Sequence, residues 1–282
     1  MRLILILICG MLLVCAAGCR GGSAASPAKE TVVASFYPLA YAAEEVGNGA
    51  VDVENLTPAG AEPHDLEVSP QDVAAIREAD IVLLLGDGFQ PQLEDAAGTG
   101  KNVLRLLDTP GLDLRPDGDP HVWLDPLRYA KIVGRIGQAL QRPDAAARLQ
   151  ARLRDLDREY RTGLAHCERR EIVTSHEAFG YLAERYGLEQ VAITGVSPEV
   201  EPEPAKLQHV VELVRERGVT TIYFETLVSP RIAETVARET GAKTAVLNPI
   251  EGLTEQEISQ GEDYFSLMRT NLRTLREGLG CS

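Results

Sequence analysis

The sequence predicts an α/β protein of two lobes, each with a mostly parallel four-stranded sheet flanked by helices, joined by a long rigid helix. Three observations lead to this prediction. Short β-rich runs alternate with amphipathic helical stretches, which is typical of a parallel sheet. The alternation occurs twice along 282 residues, a length that allows two modest domains at roughly 100–200 residues each. A long stretch with a single apolar stripe separates the two series.

The first series lies in residues 31–142, the predicted N-terminal lobe. The run Ile81–Leu85 is continuously apolar and is followed by a glycine, as expected of a buried parallel strand. A proline stands near the start of each helical stretch, where its missing N–H costs nothing. The predicted strands are Thr31–Phe36, Val51–Thr57, Asp80–Leu85 and Asn102–Leu107. The predicted helices are Pro38–Val46, Pro70–Ala79 and Pro126–Leu140.

A long predicted helix, residues 143–164, separates the two series. Its apolar residues recur at spacings of four, three, four and four, at Leu149, Leu153, Leu156, Tyr160 and Leu164. This spacing places them on one face of a helix, and Pro143 is typical of a first turn. We predict that this helix connects the lobes and limits their movement. The alternative is a surface helix within one domain.

The second series lies in residues 165–282, the predicted C-terminal lobe. It repeats the alternation of strands and helices, so a second parallel sheet is expected. The predicted strands are Glu171–Ser175, Gln190–Thr194, Thr220–Glu225 and Lys243–Leu247. The predicted helices are Ala178–Tyr186, Pro204–Arg217, Pro230–Thr240 and Asp263–Gly278.

The N-terminus has the pattern of a secretory signal peptide. A single positive charge is followed by a short apolar run and by small residues that end in Gly18-Cys19. The apolar run is shorter than the about 20 residues that span a bilayer, and the last residues resemble a bacterial lipobox. We predict a signal peptide in residues 1–18, lipidation at Cys19 and a flexible tether in residues 19–30. The alternative is an ordinary signal peptide that ends near a cysteine.

This N-terminus predicts an extracytoplasmic protein, anchored to the outer face of the cell membrane or periplasmic. Beyond Cys19, the exported chain keeps two cysteines, Cys167 and Cys281, an even pair in an oxidising compartment. A disulfide between them would join the C-terminal end to the start of the second half. The alternative is two free thiols.

Three of the five histidines lie in loops that the predicted topology brings together. His64 and His176 follow strand ends, and His121 lies in a loop bounded by prolines. Because open α/β sheets bind ligands at the carboxyl ends of their strands, we expect the two lobes to direct these imidazoles into one cleft. His166 and His209 lie in helical stretches and are predicted not to be ligands.

A carboxylate is expected to complete a metal site. Glu251 lies just after the last strand, and Glu225, at the end of its own strand, competes for this role. Three imidazoles and one carboxylate form a tetrahedral set that zinc prefers, although these ligand types also admit manganese, cobalt or nickel. Neighbouring acids that would accept the second N–H of an imidazole are Asp65, Asp119, Asp125 and Glu177.

At these residues the sequence resembles the zinc- and manganese-binding solute-binding lipoproteins of ABC importers, the cluster A-I or zinc-uptake type. The similarity covers essentially the whole exported chain. Ser35–Leu39 resembles the opening strand and turn of the family, and Asp263–Leu272 its C-terminal helix. The three ligand motifs of the family are matched by Glu62–Glu67, Asp119–Pro126 and Ser175–Phe179.

The resemblance implies two lobes joined by a rigid helix, with the metal between them. Zinc members carry histidine as the third ligand and manganese members usually glutamate, so His176 resembles the zinc branch. Glu251 falls where the family places its carboxylate ligand, although some members use water or another group there. The implied function is high-affinity capture of a divalent metal, Zn²⁺ with Mn²⁺ as the alternative, and delivery to an ABC-type permease without catalysis.

One segment departs from the family pattern. Many zinc members insert a loop rich in histidine and acids between the first two ligands, whereas Asp108–Asp119 contains no histidine. A metal-scavenging loop is therefore not expected. Either this chain lacks that accessory function or its metal is not zinc.

Two functions of other classes compete with metal capture. A secreted zinc hydrolase would keep three protein ligands and an open position, but no H-E-x-x-H motif is present. A surface adhesin would fit the lipid anchor, but no adhesive repeat is present. The formal net charge of −14 argues against a nucleic-acid partner, because such partners select basic patches. We expect a monomer.

Overall fold

The computed structural model describes residues 29–282. The predicted signal peptide, the lipidated Cys19 and residues 20–28 of the tether lie outside the described residues. In the part of the chain that is described, the search for a helix long and apolar enough to cross a membrane finds none.

The N-terminal half forms a four-stranded parallel sheet in the order β2-β1-β3-β4. Its strands are β1 (Glu30–Ala34), β2 (Val51–Asn55), β3 (Ile81–Leu84) and β4 (Val103–Arg105). Its helices are α1 (Tyr37–Gly47), α2 (Pro70–Glu78), α3 (Pro91–Ala97) and α4 (Pro126–Ala139). A proline in the first turn begins each helix.

The C-terminal half repeats the arrangement in the order β6-β5-β7-β8, again parallel. Its strands are β5 (Glu171–Thr174), β6 (Glu189–Ala192), β7 (Thr221–Phe224) and β8 (Lys243–Val246). The helix α5 (Pro143–Gly163) precedes them, and the later helices are α6 (Gly180–Tyr186), α7 (Pro204–Arg217), α8 (Arg231–Thr240), α9 (Glu255–Ser259) and α10 (Tyr264–Leu279). The predicted fold class, with two four-stranded parallel sheets, is confirmed.

Two short helices, α3 and α9, were not expected from the sequence. Each spans seven residues or fewer, and α3 buries only Leu93, so neither carries a repeating apolar stripe. α9 is instead fixed by a capping box, in which the Thr254 hydroxyl accepts the Glu257 N–H and the Glu257 carboxylate accepts the Thr254 N–H. Short capped helices of this kind leave little periodic signal.

The helix α5 carries the predicted apolar stripe and packs against both halves. Leu149, Leu153, Leu156 and Tyr160 are buried, and α5 contacts α1 and α4 of the first half and α10 of the second. The Tyr160 hydroxyl donates to the carbonyl of Met268 in α10 at 2.6 Å.

One apolar core extends across the two halves. It includes Tyr129 of α4, Leu153 of α5, Leu182 of α6 and Leu275 of α10. A separate, smaller cluster lies under α7 and α8. Since separating the halves would expose this shared core to water, burial of apolar surface opposes a wide opening between them.

A disulfide joins Cys167 to Cys281, 114 residues apart. It lies before β5 begins and after α10 ends. The bond is therefore at the amino end of β5, whereas His176 follows the carboxyl end of the same strand.

Candidate metal centre

Two of the predicted ligands come from loops of the first half. His64 lies in a single 3₁₀ turn, Pro63–Asp65, which begins with a proline. The Glu62 carboxylate accepts the His64 N–H at 3.1 Å and so caps this turn. His121 directly precedes another 3₁₀ turn, Val122–Leu124, and is fully buried. The His121 N–H donates to Asp119 Oδ1 at 2.9 Å, so in each loop a carboxylate two residues earlier fixes the backbone of the histidine.

The other two predicted ligands come from the second half. His176 follows β5, where the Thr174 hydroxyl donates to the His176 carbonyl at 2.7 Å. Glu251 follows Ile250, whose φ of 58° places a β-branched residue in the left-handed region, a strained conformation for this residue type. Strain of this kind costs about 1–3 kcal/mol and persists only where the surroundings impose it.

The loop that carries Glu251 is held by four hydrogen bonds. The Asn248 N–H donates to the Asn271 Oδ1 at 2.9 Å, and the Asn271 amide donates to the Asn248 carbonyl at 2.6 Å. The Asn248 Oδ1 accepts the Ile250 N–H at 2.7 Å. The Trp123 indole N–H donates to the Pro249 carbonyl at 2.7 Å, which ties this loop to the turn after His121. These bonds explain how the strained Ile250 is held and Glu251 is positioned.

The four predicted ligands meet in one buried cluster. The Glu251 Oε1 lies 3.7 Å from His64 Nε2, 3.0 Å from His121 Nε2 and 3.4 Å from His176 Nε2. One ligand atom from each residue lies within 4.8 Å of all the others. Donor atoms at metal distances of about 2.0–2.2 Å in a tetrahedron are roughly 3.3–3.6 Å apart. The separations therefore fit a four-coordinate transition metal with little movement.

The donor atoms of this cluster lack hydrogen-bond partners. Within residues 29–282, the Nε2 atoms of His64, His121 and His176 and both carboxylate oxygens of Glu251 are buried without a hydrogen bond of acceptable geometry. Such an atom costs about 1–3 kcal/mol in a folded protein, so five of them at one point indicate a ligand rather than a structural role. A cation at the centre would satisfy all four side chains.

Two carboxylates orient the imidazoles. Asp119 Oδ1 lies 2.8 Å from His121 Nδ1, and Glu225 Oε1 lies 2.6 Å from His176 Nδ1. When Nδ1–H donates to a carboxylate, the imidazole keeps a free lone pair on Nε2 for a metal. Asp119 thus takes the role expected from the sequence, whereas Glu225, which competed to be the fourth ligand, instead contacts the far side of His176.

The other acids expected beside the imidazoles lie elsewhere. Asp65 is exposed. Asp125 is buried but caps α4, where Oδ1 accepts the Leu127 N–H at 2.8 Å and Oδ2 pairs with Arg128 at 2.7 Å. Among the described residues, no hydrogen bond joins Glu177 to an imidazole. These three expectations are wrong because adjacency in sequence does not fix where a side chain points.

The acids of the site change the protonation of the metal-free imidazoles. Burial opposes the charged form of His176, but the Glu225 and Glu251 carboxylates together outweigh burial and raise the pKa of His176 to about 10. For His121, burial again opposes charge, and the hydrogen bond to Asp119 still raises the pKa above its ordinary value. Burial favours protonated Glu251, yet the surrounding imidazoles hold its pKa well below the usual range.

Glu62 is a further residue of the site that the sequence did not single out as a metal-site residue. Its Oε2 is buried without a hydrogen-bond partner. Burial, together with the nearby Glu251 carboxylate, raises the pKa of Glu62 to about 9. The only sequence signal was its position two residues before His64.

The histidine-free segment Asp108–Asp119 contacts the second half through Arg115. The Arg115 guanidinium donates to the Gly180 carbonyl at 3.3 Å and to Glu184 at 3.4 Å, both in α6. Its Nε lies 3.8 Å from the Asp119 carboxylate that orients His121. The segment therefore joins Asp119 to the helix that follows His176.

Gly180 is required by this contact. A Cβ atom there would lie 2.5 Å from Asp119 Oδ2 and 3.1 Å from Arg115 Nε, so Gly180→Ala must displace the Asp119 carboxylate. Because disturbing a residue that orients a ligand typically costs about 10–100-fold in metal affinity, we expect a loss of that size in a zinc titration. Gly195→Ala is the matched control, since a Cβ there meets nothing within 4 Å. Equal affinities for the two variants would contradict this contact.

The chain is similar to known zinc-uptake proteins over most of its length. The family described as ZnuA, zinc-uptake complex component A, periplasmic, matches residues 32–278. The high-affinity zinc uptake system protein ZnuA of Bacillus subtilis is 36% identical over 290 residues, covering 92% of this chain and 91% of the relative. The zinc-binding lipoprotein AdcA of Streptococcus pneumoniae is 37% identical over 280 residues, but this chain spans only 56% of its length.

Solved structures agree with this placement. The Zn(II)-bound ZnuA-like domain of Streptococcus pneumoniae AdcA has a TM-score of 0.77 and 37% identity, covering 89% of this chain and 99% of that domain. The laminin-binding protein Lmb of Streptococcus agalactiae, described as bifunctional with adhesin and metal-transporting activity, has a TM-score of 0.81 and 32% identity, with the same coverage. The resemblance inferred from the sequence motifs is thus confirmed, and the chain belongs to the ZnuA family of zinc-uptake complex components.

Proposed function

We propose that this protein captures zinc outside the cytoplasm and delivers it to an ABC-type import permease. The observation that carries the proposal is the buried cluster of His64, His121, His176 and Glu251, whose donor atoms have no other partner. The relatives named for zinc uptake and zinc binding support it. AdcA is longer than this chain, so its whole activity is carried over here only as a proposal.

The chemistry of the donors favours zinc over manganese. Imidazole nitrogen is a ligand that zinc binds readily, whereas manganese is better matched by carboxylate, carbonyl and water oxygens. The cluster offers three imidazoles and one carboxylate. Manganese remains the alternative cargo.

The same geometry favours binding over catalysis. Catalytic zinc usually keeps three protein ligands and an open position for water. Glu251 Oε1 lies within 3.7 Å of all three imidazoles and would fill that position. We therefore propose a binding protein rather than a zinc hydrolase, with adhesion not needed to explain the site.

Both halves contribute ligands, which links binding to closure. We propose lobes of residues 31–142 and 165–282 joined by residues 143–164. Because His64 and His121 belong to one lobe and His176 and Glu251 to the other, zinc binds best when the lobes are closed and shifts the population toward that state. The shared apolar core keeps the movement small. Lipidation at Cys19 would hold the protein on the outer face of the membrane, near its permease.

A competitive titration tests the proposal. The protein is purified without chelator, and zinc and manganese compete for it against a chromophoric chelator. We expect one equivalent of zinc to bind and manganese to bind far more weakly. Preferred binding of manganese would overturn the choice of metal, and binding of neither would overturn the site.

Zinc affinity is expected to rise with pH. Zinc binds neutral imidazole, while the pKa of His176 in the metal-free protein is about 10, so below that pH zinc must displace a proton. Affinity should therefore fall by about tenfold per pH unit for each proton displaced as pH is lowered from about 8 to about 6. Calorimetry in buffers of different ionisation enthalpy measures the protons released. No release at neutral pH would contradict this protonation scheme.

A further inference from the structure

A second set of donor atoms lies beside the metal cluster. One carboxylate oxygen from each of Glu62, Glu225 and Glu251 lies within 4.8 Å of the other two. Glu225 and Glu251 are 2% and 0% exposed. In the described part of the chain, Glu62 Oε2, Glu225 Oε2 and both oxygens of Glu251 are buried without a hydrogen-bond partner.

The contacts described so far do not account for these oxygens. Glu225 uses Oε1 for His176 and for the Ser175 hydroxyl at 3.1 Å, which leaves Oε2 free. Glu62 uses Oε1 for the His64 N–H. Buried carboxylate oxygens normally accept a hydrogen bond or bind a metal, because an unsatisfied buried polar atom is costly. Three that share one point indicate a cation.

A cavity on the second half contacts one member of the carboxylate set, Glu225. A cavity of about 320 Å³ is lined by Ser175, Thr194 and Glu225, and two exposed acids, Glu199 and Glu201, also line it. Glu225 thus belongs both to this cavity and to the carboxylate set. Acidic side chains that line a cavity attract cations and raise the local concentration of those cations.

Glu251 belongs to both sets of donor atoms. A metal held by Glu251 with the three imidazoles and a metal held by Glu251 with Glu62 and Glu225 would compete for the same carboxylate. Because the two sets share Glu251, one ion can pass from one position to the other without leaving this carboxylate. Carboxylate oxygens replace the oxygens of bound water without a change in donor type, and imidazoles then complete a stronger shell for zinc.

We propose that Glu62, Glu225 and Glu251 form a transfer position, at which the incoming divalent metal exchanges part of its water shell for carboxylates before it moves to the three imidazoles. This inference rests on the proposed function and deepens it. The metal keeps its charge throughout, and water is the only leaving group. Glu251 stays bound during the move, so the metal is never fully released.

The substitution Glu62→Gln tests this position. Glu62 is the one carboxylate of the three that lies outside the proposed final shell and, among the described residues, makes no hydrogen bond to an imidazole ring. Glutamine keeps an oxygen to accept the His64 N–H that caps the turn. A group that contacts the metal on its path but not in the final shell changes the barrier more than it changes the end states. We expect zinc association to slow by about tenfold, the effect of about 1.4 kcal/mol of barrier, with a smaller change in Kd and an unchanged Co²⁺ spectrum.

Stopped-flow mixing with a zinc-competing chromophore measures the association and dissociation rates, and Co²⁺ absorption reports the final shell. Glu67→Gln, which neutralises an exposed acid of the same loop, is the matched control and should leave both rates near those of the wild type. Glu62→Asp keeps a carboxylate and should restore much of the rate.

Unchanged rates in Glu62→Gln would overturn the transfer position. So would a weaker Kd with an altered Co²⁺ spectrum, because Glu62 would then belong to the final shell. If the wild-type protein itself bound no zinc, the proposed function would fail instead, so the two failures are distinguishable.

Discussion

Replacing His121 with alanine is expected to weaken zinc binding by roughly 100- to 1,000-fold. Zinc held by four protein ligands gains about 10–16 kcal/mol, or about 2.5–4 kcal/mol for each ligand if shared equally. His121 is fully buried and its imidazole is fixed by Asp119, so no exposed side chain can readily take its place. A competitive zinc titration at constant pH measures the loss.

His209→Ala is the matched control for this change. His209 is exposed on α7 and is predicted not to be a ligand, so its replacement should leave zinc affinity unchanged. If the two variants lost affinity equally, or if His121→Ala bound zinc as the wild type does, the assignment of His121 would be wrong. Thermal unfolding of both metal-free variants separates loss of a ligand from loss of the fold.

Removing the disulfide should destabilise the protein strongly without weakening the metal site. Chain entropy predicts about 4.7 kcal/mol for a closed loop of 100 residues, and Cys167 and Cys281 are 114 apart. We expect Cys167→Ala with Cys281→Ala to lower the free energy of unfolding by about 4–5 kcal/mol, which corresponds to roughly 10–20 °C in Tm. Denaturant unfolding of the metal-free protein measures this change.

Zinc affinity provides the control for the same variant. The disulfide lies before β5 begins, whereas His176 follows its end, so the folded variant should bind zinc as tightly as the wild type. A large loss of zinc affinity in the folded variant would show that the bond also shapes the cleft. Unchanged stability would contradict the entropic contribution of the disulfide.

The sequence predicted the fold class because its strongest patterns are long. The α5 stripe from Leu149 to Tyr160 repeats over several turns, and the apolar run of β3 leaves few alternatives to a buried strand. The predicted strands were one or two residues too long at their carboxyl ends, as for Val51–Thr57 against the observed Val51–Asn55. There the chain leaves the sheet to form the site, and the residue types still resemble a strand.

The sequence allowed the prediction that the four predicted ligands lie close together, because this closeness follows from the topology of the sheets. Parallel strands end at the same edge, so loops that follow β2, β5 and β8 lie near one another in a two-lobed fold. The contact between Glu225 and His176 Nδ1 was not predictable from the sequence, because it depends on how the Glu225 side chain is rotated after the strand ends. The left-handed Ile250 was equally hidden, because isoleucine rarely adopts that conformation and it is held there by hydrogen bonds of Asn248, Asn271 and Trp123.

The departure from the family in Asp108–Asp119 has a structural counterpart. A longer loop rich in histidine was absent from the sequence, and the short segment instead contacts α6 through Arg115. The contact depends on Gly180, a residue that carries no metal-binding chemistry. Sequence patterns identify the residues that supply donor atoms well. They identify poorly a residue such as Gly180, whose lack of a side chain leaves room for the Asp119 carboxylate.

An anomalous diffraction map from crystals of the zinc-loaded protein tests the proposed shell. We predict one strong peak at the zinc edge, about 2.0–2.2 Å from the Nε2 atoms of His64, His121 and His176 and from a carboxylate oxygen of Glu251. A peak bound by three imidazoles and water, with Glu251 turned away, would contradict the four-ligand shell. A map with no zinc between the lobes would contradict the proposed function itself.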